Sequence, residues 1–106
     1  MTDRPYSTSA FRDAARALAA TGQRIYAHGW SPATSSNYSQ RLNADFAAVT
    51  QSGKDKGLLR ETDIMAVDMN GQPASAGKPS AETLLHTQLY RFDADIQAVL
   101  HTHSHA

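Results

Sequence analysis

The stretch AVLHTHSHA, residues 98–106, contains three of the five histidines of this 106-residue sequence. Its pattern predicts a strand over residues 96–103, whose apolar start can anchor it in a dry core. Successive side chains of a strand point to opposite faces, so His101 and His103 are predicted to project from the same face. Their Cα atoms would then lie about 6.6 Å apart, a separation at which two imidazoles can bind one zinc ion.

A second interpretation of these histidines stays open, because an isolated pair is also compatible with polar side chains on a solvated sheet face. His105 is a poor third ligand, since on a continued strand it would lie about 13 Å from His101. It also falls at a terminus, where chains fray. His28 and His86 are interpreted as surface or packing histidines without a functional role.

Helical periodicity occurs twice in the sequence. Apolar or small residues at steps of three and four predict a helix over residues 9–27, capped by Thr8 or Ser9. Its buried stripe is predicted to contain Phe11, Ala15, Leu18, Gly22 and Ile25. Ser80 is a good N-cap for a second helix over residues 81–92. The buried residues of that helix are predicted to be Leu84, Leu85, Leu89 and Phe92.

Strand patterns cover residues 38–42, 46–50 and 64–69, and the last of these precedes a tight turn at Asn70-Gly71. Glycine, proline and charged residues mark the segments between these elements as loops. Helices mixed with meandering strands in a chain of 106 residues indicate a single domain with an α/β or α+β sandwich.

The composition argues against several classes of protein. Ten basic and ten acidic residues give a formal net charge of zero, which argues against a nucleic-acid partner. No apolar run approaches the roughly 20 residues that span a bilayer, and the start of the chain has no apolar signal core. The absence of cysteine excludes disulfides and thiolate ligands from this sequence. A cytoplasmic globular protein is expected.

Two polar loops and one helix start could bind an anion. SSNYS (residues 35–39) and TQSGK (residues 50–54) can direct backbone N–H groups and hydroxyls at a phosphate, with charge from Lys54 or Lys56. Taken alone, each loop is better explained as an ordinary turn. Glu82 lies in the first turn of the second helix, where the helix dipole favours a carboxylate whatever its role. The free amides of that turn could also receive an anion beside Ser80.

Taken in order, GWSPATSSNYSQR, TQSGKDKG, KPSAETLLH and AVLHTHS resemble the class II aldolase/adducin family, with a likeness that extends from the first helix to Ser104. The resemblance implies an α/β fold, a three-layer αβα sandwich with a mostly antiparallel central sheet. Residues 1–106 would form the N-terminal part of one such domain, truncated before the family's third histidine ligand. The isolated chain is then expected to bind zinc weakly and to have little or no activity.

The resemblance also assigns roles to individual residues. The family's His-x-His pair corresponds to His101 and His103, which would bind one zinc ion per subunit. Its acid/base glutamate corresponds to Glu82. The residues implied to bind the substrate phosphate are Ser36, Asn37, Ser39, Ser52, Gly53 and Ser80, with Ser36 in a position where the family has glycine and Ala81 replacing one of its two serines.

The segments SPATSSNYS and TQSGKDKG favour the dehydratases of this family over its aldolases and epimerases. The implied reaction is a zinc-dependent dehydration of 5-methylthioribulose 1-phosphate in methionine salvage, carried out by a homotetramer. The alternatives are a sugar-phosphate aldolase or epimerase, a non-catalytic adducin-like interaction module, and a small metal-binding module. Paired histidine ligands argue against the interaction module, and the phosphate loops have no place in the metal-binding module.

Overall fold

The computed structural model describes residues 6–27, 37–51, 59–79 and 83–101. Its elements are α1 (Thr8–Ala27), β1 (Asn37–Arg41), β2 (Phe46–Thr50), a 3-10 turn (Glu61–Asp63), β3 (Ile64–Asp68), α2 (Thr83–Phe92) and β4 (Ala98–His101). The strands form one antiparallel sheet in the order β3-β2-β1-β4. Within these ranges no helix is long and apolar enough to cross a membrane.

Helix α1 covers one face of the sheet through small side chains. Its buried residues Ala14, Ala15, Leu18 and Ala19 pack against Tyr38, Ala48 and Ile64 of three different strands, with Phe11 at the margin. The predicted stripe is confirmed at Ala15, Leu18 and Gly22, which are buried. The predicted cap is wrong, because the hydroxyl of Ser7 accepts the hydrogen bond from the backbone N–H of Ala10 (3.1 Å). Three hydroxyl residues in a row made that boundary ambiguous.

Helix α2 covers the opposite face with a different set of residues from the one predicted. Its buried residues are Thr83, His86, Thr87 and Tyr90. The predicted core residues of this helix are exposed: Leu84 (53%), Leu85 (47%), Leu89 (37%) and Phe92 (87%). The prediction failed because Tyr90 packs on Val49 and Val67, while His86 and the phenol of Tyr90 on the same helix face both form hydrogen bonds with Ser39. Buried polar groups are tolerated when they are paired in this way.

The central strands explain why both faces need a helix. In β2, Ala48 belongs to the cluster under α1, whereas Ala47 and Val49 belong to the cluster on the other face. All three side chains have no exposed surface. A strand buried on both faces requires a layer on each side, so the described residues form three layers. The predicted αβα arrangement and antiparallel sheet are confirmed.

Strand β4 pairs with β1 at one edge of the sheet. Its predicted anchoring in a dry core is wrong for two of its three apolar residues. Only Val99 packs in the core beside α2, while Ala98 is exposed and Leu100 is 50% exposed. Ala98 and Leu100 point to the other face, which the described part of α1 leaves uncovered at this edge.

The turn after β3 follows its sequence signal. Gly71 adopts a φ of 81°, which side chains other than glycine rarely adopt. The carboxylate of Asp68 accepts hydrogen bonds from the backbone N–H groups of Asn70 (2.8 Å) and Gln72 (3.0 Å). The predicted tight turn at Asn70-Gly71 is therefore confirmed, with Asp68 stabilising it.

Candidate active site

The segments singled out in the sequence come together at one end of the sheet. Asn37, the first residue of β1, pairs directly with His101, the last residue of β4. Gln51, which follows the end of β2, forms a β-bridge with Pro79. The residues that precede Ser52 and Ser80 in the chain therefore lie side by side.

Most of the predicted site residues lie outside the described residues. These are Ser36, Ser52, Gly53, Ser80, Glu82 and His103. The backbone of His101 is described as part of β4, and Asn37 and Ser39 are fully described. Across the described ranges no group of three histidine, aspartate or glutamate side chains could hold a metal. The zinc site at His101 and His103 stays a prediction.

Asn37 is almost completely buried, with 2% of its surface exposed. Its amide oxygen accepts a hydrogen bond from the hydroxyl of Thr50 (2.7 Å), and that hydroxyl accepts one from the backbone N–H of Tyr38 (3.2 Å). The amide nitrogen of Asn37 has no hydrogen-bond partner among the described residues. A buried N–H group left without a partner costs about 1–3 kcal/mol, so this nitrogen is suited to receive an acceptor oxygen from a ligand.

Ser39 has no exposed surface, and its hydroxyl lies between two side chains of α2. Its Oγ is 2.6 Å from Nδ1 of His86 and 2.7 Å from the phenol oxygen of Tyr90. This network joins β1 to α2, so it connects the strand that begins at Asn37 with the helix that follows Glu82. The predicted phosphate contact of Ser39 stays a prediction, and its hydroxyl has an observed role in holding the two elements together.

The hydrogen bond between Ser39 and His86 also resembles the pair that activates a serine nucleophile. Both side chains have 0% of their surface exposed, and the Ser39 hydroxyl is also 2.7 Å from the phenol oxygen of Tyr90. The pair is therefore a packing contact. His86 was predicted to be a surface or packing histidine, and this hydrogen bond was not predicted. Its signal was the polar series Thr83, His86, Thr87 and Tyr90, which recurs at helical spacing.

Tyr90 and Arg41 complete the polar network on this side of the sheet. Burial raises the pKa of Tyr90 above its usual value, and this rise is partly offset by the hydrogen bond with Ser39 and the charge of Arg41. The guanidinium of Arg41 lies 4.8 Å from the centre of the Tyr90 ring. It donates hydrogen bonds to the carbonyl oxygens of Tyr90 (2.8 Å) and Ile96 (2.8 Å). Arg41 thereby stabilises the end of α2, where carbonyl groups lack helical partners.

The family profile described as Class II Aldolase and Adducin N-terminal domain matches residues 16–106 of the chain. The chain belongs to the class II aldolase and adducin family. Solved structures agree with this family. An L-fuculose 1-phosphate aldolase superposes with a TM-score of 0.80 at 28% identity, over 93% of this chain and 46% of that chain. The L-fuculose-1-phosphate aldolase from Thermus thermophilus gives a TM-score of 0.72 at 29% identity, over 87% of this chain and 46% of that chain.

Among curated members of the family, the chain is similar to dehydratases. It is 90% identical to the methylthioribulose-1-phosphate dehydratase of Alcanivorax borkumensis over 106 residues, which are 100% of this chain and 50% of that protein. It is 54% identical to the enzyme of the same name from Xanthomonas campestris pv. campestris over 101 residues, which are 94% of this chain and 46% of that protein. The chain spans about half the length of the curated relatives it matches.

Proposed function

We propose that this chain is the N-terminal half of a cytoplasmic methylthioribulose-1-phosphate dehydratase of methionine salvage. The enzyme would remove water from 5-methylthioribulose 1-phosphate and form 2,3-diketo-5-methylthiopentyl 1-phosphate. The 90% identity over the whole chain supports the choice of dehydratase within the family. The observation that supports the proposal is the pairing of Asn37 with His101, since these residues belong to the segments proposed to bind the phosphate and the metal.

The residues of this chain suit a zinc ion. β4 runs as a strand up to His101, so a continuing strand would present His101 and His103 on one face. Imidazole nitrogens are preferred zinc ligands, and the family resemblance implies a third histidine from the other half of the enzyme. When bound, the ion would polarise the substrate's carbon 2 carbonyl and so acidify the proton on carbon 3.

The other residues would bind and orient the substrate. Asn37 and the segments at Ser52 and Ser80 would hold the phosphate, which is remote from the bonds that break. Binding energy used at that distance fixes the position of carbons 3 and 4 relative to the catalytic groups. Glu82 would act as an acid or base, either removing the carbon 3 proton or protonating the carbon 4 hydroxyl as it leaves.

The test uses the full-length enzyme, meaning this chain together with the second half that its relatives carry. Incubation with 5-methylthioribulose 1-phosphate should give a product lighter by one water, measured by mass spectrometry. The purified enzyme should contain one zinc ion per subunit and form a tetramer in solution. His101→Ala and His103→Ala should each lose the zinc and the turnover together, since each removes one ligand. Turnover with a normal rate in either variant would contradict the assigned metal site.

The second candidate is a sugar-phosphate aldolase or epimerase, favoured by the TM-score of 0.80 with L-fuculose 1-phosphate aldolase. The same incubation separates the two, because an aldolase cleaves a carbon–carbon bond and releases no water. Two smaller products from L-fuculose 1-phosphate, with no dehydration of 5-methylthioribulose 1-phosphate, would support the aldolase. If neither substrate reacts and zinc does not bind, the adducin-like interaction module becomes the better account.

A further inference from the structure

Thr50 is a buried residue whose hydroxyl makes two hydrogen bonds at the end of the sheet that carries the candidate site. Only 1% of its surface is exposed. Its oxygen accepts the backbone N–H of Tyr38 (3.2 Å), and its hydrogen is donated to the amide oxygen of Asn37 (2.7 Å). Both bonds cross from β2 to β1. Thr50 therefore connects the end of β2, which precedes the loop at Ser52, with the start of β1, which follows the loop at Ser36.

This arrangement selects one orientation of the Asn37 side chain. A threonine hydroxyl has a single hydrogen, and here the amide oxygen of Asn37 accepts it. If the amide group rotated by half a turn, its NH2 group would face the threonine oxygen. The hydroxyl hydrogen would then lose its acceptor in a buried environment, which is unfavourable. Thr50 therefore keeps the amide oxygen of Asn37 on its own side and leaves the NH2 group on the other.

The consequence is that Asn37 offers only donors to a ligand. Its amide nitrogen is buried and has no partner among the described residues, so it is available for an acceptor. The oxygens of a phosphate dianion accept hydrogen bonds and donate none. A fixed NH2 group therefore favours phosphate, whereas a free amide could also present its oxygen, which repels an anion.

We propose that Thr50 is a positioning residue, which fixes the Asn37 amide as a donor to the substrate phosphate through their buried hydrogen bond. This inference rests on the proposed function, because it takes the phosphate group of the substrate as the ligand of Asn37. Thr50 itself would contact no substrate atom. Its hydroxyl is the functional group, so serine should replace it and valine, which has the same shape without the hydroxyl, should not.

The experiment compares Thr50 variants of the full-length enzyme with the unmodified enzyme. Thr50→Val should raise the KM for 5-methylthioribulose 1-phosphate about tenfold, which corresponds to about 1.4 kcal/mol, and leave kcat within about twofold. The inhibition constant of inorganic phosphate should rise by the same factor, since phosphate shares only the Asn37 end of the substrate. Thr50→Ser should restore both values to near those of the unmodified enzyme.

The matched control is Thr87→Val, which removes another buried threonine hydroxyl. Thr87 is 1% exposed, and its hydroxyl bonds the carbonyl oxygen of Leu84 (3.1 Å) within α2. This variant should lose some thermal stability and keep the KM and the phosphate inhibition constant. If Thr50→Val does not fold, Thr50→Ala removes the same hydroxyl without placing a methyl group against Asn37, and it carries the same expectation.

Asn37→Ala distinguishes failure of this inference from failure of the proposed function. If Asn37→Ala raises the KM and the phosphate constant while the Thr50 variants change neither, the role of Thr50 is wrong and the phosphate site stands. If Asn37→Ala also changes neither constant, the phosphate site is wrong and the inference fails with it. A fall in kcat at constant KM in Thr50→Val would also overturn the positioning role.

Discussion

The two faces of the sheet are covered by helices that pack by different means. Under α1 the contacts are apolar, with Ala15 and Leu18 lying against Tyr38 and Ile64. Under α2 a buried apolar cluster lies beside a hydrogen-bond network that includes Ser39. The apolar contacts under α1 hold the layers together by excluding water. The hydrophobic effect is non-directional, so these contacts do not require one exact orientation of the helix. The polar face specifies one alignment of α2 on β1, since its hydrogen bonds form only at that alignment.

The proposed function depends mainly on the face under α2. Ser39 lies two residues after Asn37, and His86 lies four residues after Glu82. The Ser39–His86 hydrogen bond fixes the position of α2 on β1, and these two elements adjoin the segments proposed to act on the same substrate. A purely apolar contact would allow the helix to slide by small amounts that a phosphate site does not tolerate.

The largest expected change in the free energy of unfolding comes from a substitution in the apolar contacts under α1. Leu18→Ala removes a side chain that is only 3% exposed, and we expect a loss of about 2–5 kcal/mol in the free energy of unfolding. Urea denaturation of this chain measures it. The control is Leu85→Ala on α2, which was predicted to be buried but is 47% exposed, and it should change the stability by less than about 0.5 kcal/mol. Equal losses in the two variants would refute the assignment of the buried faces.

An intermediate loss of stability is expected when the hydrogen-bond network under α2 is disrupted. Ser39→Ala leaves a nitrogen of His86 and the phenol of Tyr90 without the partner they share, at a cost of about 1–3 kcal/mol. The matched control is Ser9→Ala, an exposed serine of α1, which should have little effect on the denaturation midpoint. A combined Ser39→Ala and Tyr90→Phe variant should lose less stability than the sum of the two single variants, because both remove the same contact.

The smallest expected effect is the contribution of Tyr90 to the pH dependence of stability. Burial raises the pKa of Tyr90 in the folded chain above its unfolded value of about 10, so the unfolded chain loses this proton first as the pH increases. The contribution of Tyr90 to the free energy of unfolding should therefore be complete below pH 10. It should decrease as the pH rises towards the pKa of Tyr90 in the folded chain. Denaturation midpoints measured between pH 8 and about 11 should fall less in Tyr90→Phe than in the original chain. Parallel curves for the two proteins would show that Tyr90 contributes nothing to this loss.

The contrast between the faces also explains what the sequence could reveal. The buried face of α1 was predictable at Leu18 because apolar periodicity is itself the cause of that packing. The buried face of α2 was not, since the pattern of leucines pointed to residues that are exposed, such as Leu85. The hydrogen bond with Ser39 of β1 contributes to the burial of His86, and that bond depends on tertiary contacts.

The candidate site was predictable in part for a similar reason. Strand patterns and motif order identified Asn37 and His101, whose pairing follows once β1 and β4 are neighbours. The role proposed for Thr50 could not be predicted, because its contact with Asn37 depends on the register of β1 against β2. In that register Ser39 lies opposite Val49, and the hydroxyl at the next position reaches the amide.

The most direct test of the account is a crystal structure of the full-length enzyme with zinc and bound inorganic phosphate. We expect a phosphate oxygen within about 2.7–3.2 Å of the Asn37 amide nitrogen, with the Asn37 amide oxygen still bonded to Thr50. The zinc ion should be bound by His101 and His103 at the same end of the sheet. A phosphate bound elsewhere, or a metal held by other residues, would contradict the proposed site.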